Sequence, residues 1–337
     1  MRILALNGGS SSLKCRLDDL GSAPPSEPLT PVWTRSVDRG ESIDDILKSI
    51  PGPVDLVGHR IVHGGKFRES TKLTKEVRDE IAVEAENAPS HNKYELDAID
   101  AVDRIFKVPQ IAVFDTAFHA TLDRAAYTYP GPYEWLNEGI RRFGFHGISH
   151  QYASRRAAEI LGPKARRIVT CHLGNGASLA AVRDGRSIDT TMGFTPLEGI
   201  MMGTRSGSVD PGILIFLARH RRYTAAQVDF ILNQQSGLKG LSGISGDMRE
   251  ILAAIDQGND RAKLAFEVYA HRLCRGIGEM MGSLGAADAI VFTGGVGEHT
   301  PQLRAIVAAR FENTPMLVVH AEEEWEIVRE CYRIAHN

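Results

Sequence analysis

Four cysteines in 337 residues, none in a Cys-x-x-Cys pair, leave a zinc site or a redox dithiol little to use. Cys15, Cys171, Cys274 and Cys331 are scattered, which suits a reducing cytoplasm and argues against a disulfide framework. No apolar run approaches the ~20 residues a membrane span needs, and the run at 3–6 is too short for a signal peptide. Charge of one sign is also scarce. A net charge of −3 gives no electrostatic reason for nucleic acid or an anionic membrane as partner. The Arg166-Arg167 and Arg221-Arg222 pairs read as solvated surface. These absences leave a cytoplasmic globular chain, long enough for two domains of ordinary size.

Glycine, by contrast, is both plentiful and well placed. Residues 3–6 lead into Asn7-Gly8-Gly9-Ser10-Ser11-Ser12, and 168–171 lead into His172-Leu173-Gly174-Asn175-Gly176. A third apolar run, 290–292, leads into Thr293-Gly294-Gly295-Val296-Gly297. A buried strand that ends in such a turn leaves backbone N–H groups free to approach an anion. Three such junctions in one chain suggest a cleft for a polyphosphate.

Strand, glycine turn and strand follow one another at the start of each half, which hints at a duplicated architecture. The second strands are 13–17 and 178–183, and Asp184-Gly185 marks a tight hairpin into 186–191. A strand is predicted at 54–62, then a helical stripe of Leu96, Ile99, Val102 and Phe106. The strand 110–114 delivers Asp115 at its carboxyl end, the edge where open α/β sheets gather ligands. Helices are predicted from Ser149, after the Asp210-Pro211 cap, at 224–235, at 260–284 and at 322–336. The third glycine turn runs to Thr300-Pro301, another cap-and-proline start, so its amides open a helix.

None of the turns is a standard nucleotide signature. Residues 9–14 have Leu13 where a Walker A loop needs glycine, and Gly174-x-Gly176 lacks the third glycine of a dinucleotide fingerprint. Arg60 sits among apolar strand neighbours, where a guanidinium needs an anionic partner, either a structural carboxylate or a ligand. Arg205, in the tight loop Gly203-Thr204-Arg205-Ser206-Gly207, can approach a planar oxyanion. His146 and His150 stand four apart. Gly147 between them and the lack of a third ligand argue against zinc. His146 is better used as a donor to phosphate, and His150 as a structural hydrogen-bonding group. Asn7, Asp115 and an acid from Glu322, Glu323 and Glu324 offer hard oxygens for Mg²⁺ or Mn²⁺. With Arg60, Arg205 and His146 around the developing charge, the inventory fits a kinase better than a hydrolase or dehydrogenase.

The wording of these motifs resembles the acetate kinase family. The resemblance is carried in order by 7–14, 59–65, Val113-Phe114-Asp115-Thr116-Ala117-Phe118-His119, 144–150, 172–176, 203–207 and 294–298. It implies an α/β, two-domain, duplicated actin/Hsp70-like (ribonuclease H-like) fold with the active site in the interdomain cleft. The domains would be 1–148 and 149–321, with the C-terminal helix 322–337 joining the first. The activity implied is reversible transfer of the ATP γ-phosphoryl group to acetate, giving acetyl phosphate and ADP, in a homodimer.

Carried over by motif, Asn7 and Glu323 would bind the metal, Glu322 and Glu324 remaining alternatives. Lys14, His172, Leu173, Gly174, Asn175, Gly176, Asp247, Met248 and Arg249 would contact the nucleotide, as would Gly295, Val296, Gly297, Glu298 and His299. Arg60 would bind the substrate carboxylate and Asp115 would be the active-site acid. His146 and Arg205 would stabilise the transition state. Val62, Ser90, His91, Phe145 and Pro196 would line the acid pocket. A carboxylate is already ionised at neutral pH, so Asp115 is expected to act through the metal and by positioning rather than as a base.

Some positions depart from the family pattern. The stretches between Lys14 and Arg60 and between His299 and Glu322 are short. Ser90 stands where Leu is usual, so propionate, butyrate or a hydroxy-acid stay open as substrates. Lys93 replaces a usual Pro, Ile148 a Thr, Ser208 an Asp and His299 an Asn, the last bearing on the donor, for which pyrophosphate is an alternative. A low-turnover nucleotide-binding regulator is the reading from another class.

Overall fold

The computed structural model describes every residue except 10, 11, 39, 40, 85–91 and 337. Ser90 and His91, expected in the acid pocket, therefore lie outside the described residues. The chain divides into two compact units, one of 1–120, 145–152 and 322–337 and the other of 121–144 and 153–321. Among the described residues no helix is long and apolar enough to cross a membrane.

The first unit holds one sheet of β1 (Arg2–Gly8), β2 (Ser12–Asp19), β3 (Trp33–Asp38), β4 (Leu56–Ile61), β5 (Thr71–Lys72) and β6 (Gln110–Phe114). Their order is β3-β2-β1-β4-β6-β5. Strands β1 to β3 form an antiparallel meander, and β4 and β6 join β1 in parallel. Central parallel strands are covered on both faces and need continuous apolar runs. Accordingly Ile3, Leu4 and Ala5 expose nothing, and all of β6 is buried. Helix Asn92–Ile105 supplies Ala101 and Val102 to a core with Leu4, Leu6 and Val57. Helix Glu323–Ala335 packs so closely that a Cβ on Gly58 would stand 2.3 Å from Cys331 Sγ. Only glycine permits that approach in the middle of β4.

Strand β4 is shorter than the 54–62 run predicted for it, because the Val62 N–H leaves the ladder and donates to the Glu95 carboxylate at 3.2 Å.

The second unit repeats the plan with β7 (Arg167–Leu173), β8 (Ala177–Arg183), β9 (Arg186–Thr190), β10 (Ala289–Thr293) and β11 (Met316–Val318), ordered β11-β10-β7-β8-β9. Apart from the extra edge strand β5, both sheets share one topology, the duplicated α/β arrangement expected. The predicted hairpin is present, with Asp184 and Gly185 at φ 52° and 75°, as a two-residue turn of this hand requires. Helix Asp260–Leu284 has the predicted bounds: Asn259 caps it by accepting the Ala262 N–H, and Gly285 ends it at φ 78°. The third glycine turn is itself a short helix, Gly294–His299, entered through Gly294 at φ 79°, and a second helix, Pro301–Arg310, follows it.

Candidate active site

In the first sheet Leu6 pairs with His59, and Arg60 with Val113. This parallel register collects Asn7, Arg60 and Asp115 near one carboxyl edge. Arg60 Nε and Nη2 donate to a single oxygen, Asp115 Oδ2, at 3.0 and 2.6 Å, and Nη1 donates to Asn7 Oδ1 at 3.0 Å. Those bonds take up three of the five guanidinium N–H groups and leave two without a partner among the described residues. The Arg60 and Asp115 side chains are 11% and 1% exposed, so the pair is shielded from bulk water.

Burial discourages charge on Arg60, but the neighbouring Asp115 and Glu323 outweigh it and hold the guanidinium firmly protonated. Burial pushes the Asp115 carboxyl up; Arg60 opposes this and Glu323 adds to it. Asp115 Oδ1 makes no hydrogen bond among the described residues, although the nearby His146 amide favours its charged form.

The three-glutamate run is divided by geometry. Glu322 accepts from Arg16 Nη1 at 2.9 Å, and that guanidinium lies 5.2 Å from the centre of the Trp325 ring. Asn7 Nδ2 donates to Glu324 Oε1 at 2.6 Å and to Glu323 Oε2 at 3.2 Å. Lys14 Nζ lies 4.0 Å from Glu324 Oε1 and is more than half exposed. A buried carboxylate oxygen without a hydrogen bond among the described residues, next to a second carboxylate, suits a hard divalent cation that completes its shell with water and phosphate. Among the described residues no group of three or more His, Cys, Asp or Glu converges, so these residues form no all-protein cage.

His146 adopts φ 56°, a left-handed conformation uncommon outside glycine, and residues held so are concentrated at functional sites. The Gly147 N–H that follows donates to the Asp115 carbonyl at 2.9 Å, where a Cβ would come within 2.1 Å of that oxygen. Glycine is therefore what lets His146 lie beside Asp115. Val62 and Phe145 are buried nearby in sequence, at 4% and 1% exposure. His150 is wholly buried, edge-on to the His119 ring at 5.6 Å, as a core histidine would be.

In the second unit Thr293 pairs with His172, so two glycine turns leave adjacent strand ends. A cavity of ≈ 860 Å³ is lined there by Gly174, Asn175, Gly295, Val296 and His299, and by Asp247, Met248 and Arg249. Asp247 accepts the Arg249 N–H at 2.8 Å and so caps helix Met248–Asp256. His172, Leu173, Gly176, Gly297 and Glu298 do not line this cavity. Glu298 Oε1 instead ties the amides of Gly294 and Ala321 at 3.1 and 3.0 Å. Arg205 is on the loop 199–208 of this unit and donates from Nη1 to the Pro196 carbonyl at 2.6 Å.

Residues 40–329 match the sequence profile of the Acetokinase family. The chain belongs to that family. An acetate kinase of Gloeobacter violaceus is 47% identical over 401 aligned residues, covering 99% of each chain, and one of Nostoc punctiforme is 46% identical over 405, covering all of each. These alignments are longer than the 337 residues here, so both relatives carry segments this chain lacks. Among solved structures, Porphyromonas gingivalis acetate kinase superposes with TM-score 0.88 at 34% identity, covering 99% of both chains. A propionate kinase from Francisella tularensis superposes with TM-score 0.90 at 32% identity and the same coverage. As an acetokinase the chain is a phosphotransferase whose acceptor is a carboxyl group, working with ATP or ADP and a divalent metal.

Sequence reasoning missed Glu95, whose buried carboxylate receives the Val62 N–H; a lone acid just before the stripe of Leu96, Ile99 and Val102 was the available signal. It also missed Thr204, Lys239 and Ser245 on the nucleotide-sized cavity. Residues 236–246 are mostly serine, glycine and leucine and carry no periodic pattern that would have exposed them.

Proposed function

We propose that the two units divide the acetokinase reaction between them, the first binding a short carboxylate and the second binding ATP. The observation that carries this is the Arg60 guanidinium, held by Asp115 and Asn7 with two N–H groups unpaired among the described residues, a fork that matches a carboxylate. Val62 and Phe145 supply the apolar side for the alkyl group. The glycine turns and the cavity beside them take the nucleotide. One carboxylate oxygen forms a bond to the γ-phosphorus as the bond from that phosphorus to the β–γ bridging oxygen breaks, so ADP leaves and no proton moves. Repulsion between the two anions is the main obstacle, and Arg60, His146 and Arg205 offset it.

Asp115 and Glu323 would hold Mg²⁺, with Asn7 beside them; such an ion supplies electrostatic stabilisation of the phosphoryl oxygens. Because the acid is already ionised, Asp115 positions Arg60 rather than accepting a proton. The four cysteines are free and buried, which supports a reducing cytoplasm as the site of action.

A homodimer is also part of this reading. Helices Pro211–His220 and Ala225–Gln234 bury none of their own residues, and Ile213, Ile215, Phe216 and Phe230 are about half exposed. A second copy covering that face would explain it. Light scattering should then give a dimer for the native chain and a monomer for Phe216→Glu; a native monomer removes this part of the reading.

The deciding assay traps acyl phosphate as hydroxamate, with acetate, propionate, butyrate and a hydroxy-acid each tested against ATP and pyrophosphate. Acetate with ATP should give the highest kcat/KM. Propionate is the second acid to test, since a propionate kinase superposes as well as an acetate kinase does. No product with any acid refutes the reading.

A further inference from the structure

We propose that Glu95 is a positioning residue for the acid substrate: its carboxylate holds the Val62 amide and so fixes the end of the strand that carries Arg60. This rests on the reading that Arg60 binds the acid and that Val62 stands beside its alkyl group. Glu95 lies where an apolar side chain is expected. In helix Asn92–Ile105 it shares one face with Ile99 and Val102, four and seven residues on, which expose nothing. Glu95 itself is only 3% exposed. A carboxylate in such a stripe is desolvated, and an apolar side chain of similar volume would pack there without that penalty. Stability alone gives no reason for an acid at this position.

The strand geometry supplies one. The ladder between β1 and β4 stops at Leu6 opposite His59, although β1 continues to Gly8. Glu95 stands beside that last residue: a Cβ on Gly8 would lie 3.8 Å from Glu95 Cγ. From there both carboxylate oxygens accept the Val62 N–H, at 3.2 and 3.3 Å. One residue earlier, the Ile61 carbonyl accepts the Asp115 N–H at 2.9 Å. Successive residues of a strand between two parallel neighbours bond to opposite sides. The end of β4 is therefore gripped twice, by the end of β6 and by the first turn of the helix.

Arg60 leaves the strand just before this grip. Asp115 serves both, its carboxylate holding the guanidinium and its amide the Ile61 carbonyl. Burial works against the charge on Arg60, and Glu95 joins Asp115 and Glu323 in outweighing it. That charge is not what the acid needs, since a further anion near the pocket repels a carboxylate. The useful property is reach, an oxygen held at the Val62 amide by a helix whose other residues are fixed in the core. A Val62 held by its backbone resists a longer alkyl group; one whose amide is released gives way to it.

The test measures acyl phosphate formation from acetate and from propionate by the native protein, Glu95→Gln, Glu95→Asp and Arg60→Lys. Glutamine keeps the reach and loses the charge; aspartate keeps the charge and falls one methylene short. Glu95→Gln should show the native KM for acetate or a lower one, with the native acetate-to-propionate ratio of kcat/KM. Glu95→Asp should raise the acetate KM by roughly tenfold or more and lower that ratio, with the KM for ATP within about twofold of native. The proposal is overturned if Glu95→Asp keeps the native acetate KM and ratio. It is overturned equally if Glu95→Gln is impaired as much as Glu95→Asp, which would make the charge the active property. Loss of acetate and ATP kinetics together in Glu95→Asp marks a merely structural residue and also overturns it. Arg60→Lys with native acid kinetics overturns the reading on which the proposal rests. An impaired Arg60→Lys beside a native Glu95→Asp overturns the role of Glu95 alone.

Discussion

The first sheet, read β3-β2-β1-β4-β6, and the second, read β9-β8-β7-β10-β11, follow one plan: an antiparallel meander with two strands added in parallel. Their edges differ. In the first, polar side chains at the strand ends are held by carboxylates, Arg60 by Asp115 and Asn7 by Glu323 and Glu324 of the C-terminal helix. In the second, the corresponding ends pass into glycines that leave the backbone bare beside a large cavity. Side chains fixed by mutual hydrogen bonds can select one small anion by shape and charge. Bare amides bind phosphate generically and need little more than room.

The comparison breaks most sharply at Arg60. Arg60→Ala should lower kcat/KM for the acid by on the order of 10³-fold or more, while ADP affinity stays within about twofold. That variant also leaves Asp115 buried without its counter-charge. Arg60→Lys, which keeps the charge but loses the fork, should therefore fold better and still lose most of the activity. Equal loss of acid and nucleotide binding would mean the units do not divide the work.

Acid should weaken the first unit before the second. His59 is buried and hydrogen-bonded to Gln110 at 2.6 Å; burial, aided by Arg78 and opposed by Gln110 and Asp103, brings it down to about 4 from 6.5. Burial brings His63 of the same unit to about 4 as well. Between those values the unfolded chain takes up protons that the folded chain refuses. The stabilisation is complete above about pH 6.5 and is lost as pH falls toward 4. For His59 alone it amounts to roughly 3 kcal/mol. Hydrogen exchange at pH 7 and pH 5 should show protection falling first in β4 and β6; uniform loss across both sheets would contradict it.

Within the first unit, Glu323→Gln should raise the metal concentration needed for half-maximal activity by roughly 10- to 100-fold. Glu322→Gln should leave it unchanged, since that carboxylate is held by Arg16. Equal effects would dissolve the division of the three glutamates.

The smallest effects test the glycines. Gly294→Ala meets both φ 79° and a Leu173 carbonyl oxygen 2.8 Å from the new Cβ, and should cost about 1–3 kcal/mol in denaturant unfolding while raising KM for ATP. Gly278→Ala, in the interior of helix Asp260–Leu284 with nothing near its Cβ, should be neutral or stabilise by ~0.5–1 kcal/mol. If both behave alike, the glycine turn carries no special conformation.

Local order in the chain was enough to read the strand–turn–strand repeats, the Asp184-Gly185 hairpin and the helix Asp260–Leu284, because periodicity, turn chemistry and caps act over a few neighbouring residues. Strands β3, β5 and β11 were not readable. Each lies at or near an outer edge of its sheet, is half-exposed or short, and takes its state from the strand beside it. The residue types at the edge of the first sheet were also legible, since an arginine among apolar strand residues demands an anion. Which anion it meets was decided only by folding. The parallel register of β1, β4 and β6 brings Asn7, Arg60 and Asp115 together. The C-terminal helix adds Glu323 and Glu324 from more than 300 positions away, a contact that no local pattern in the chain encodes.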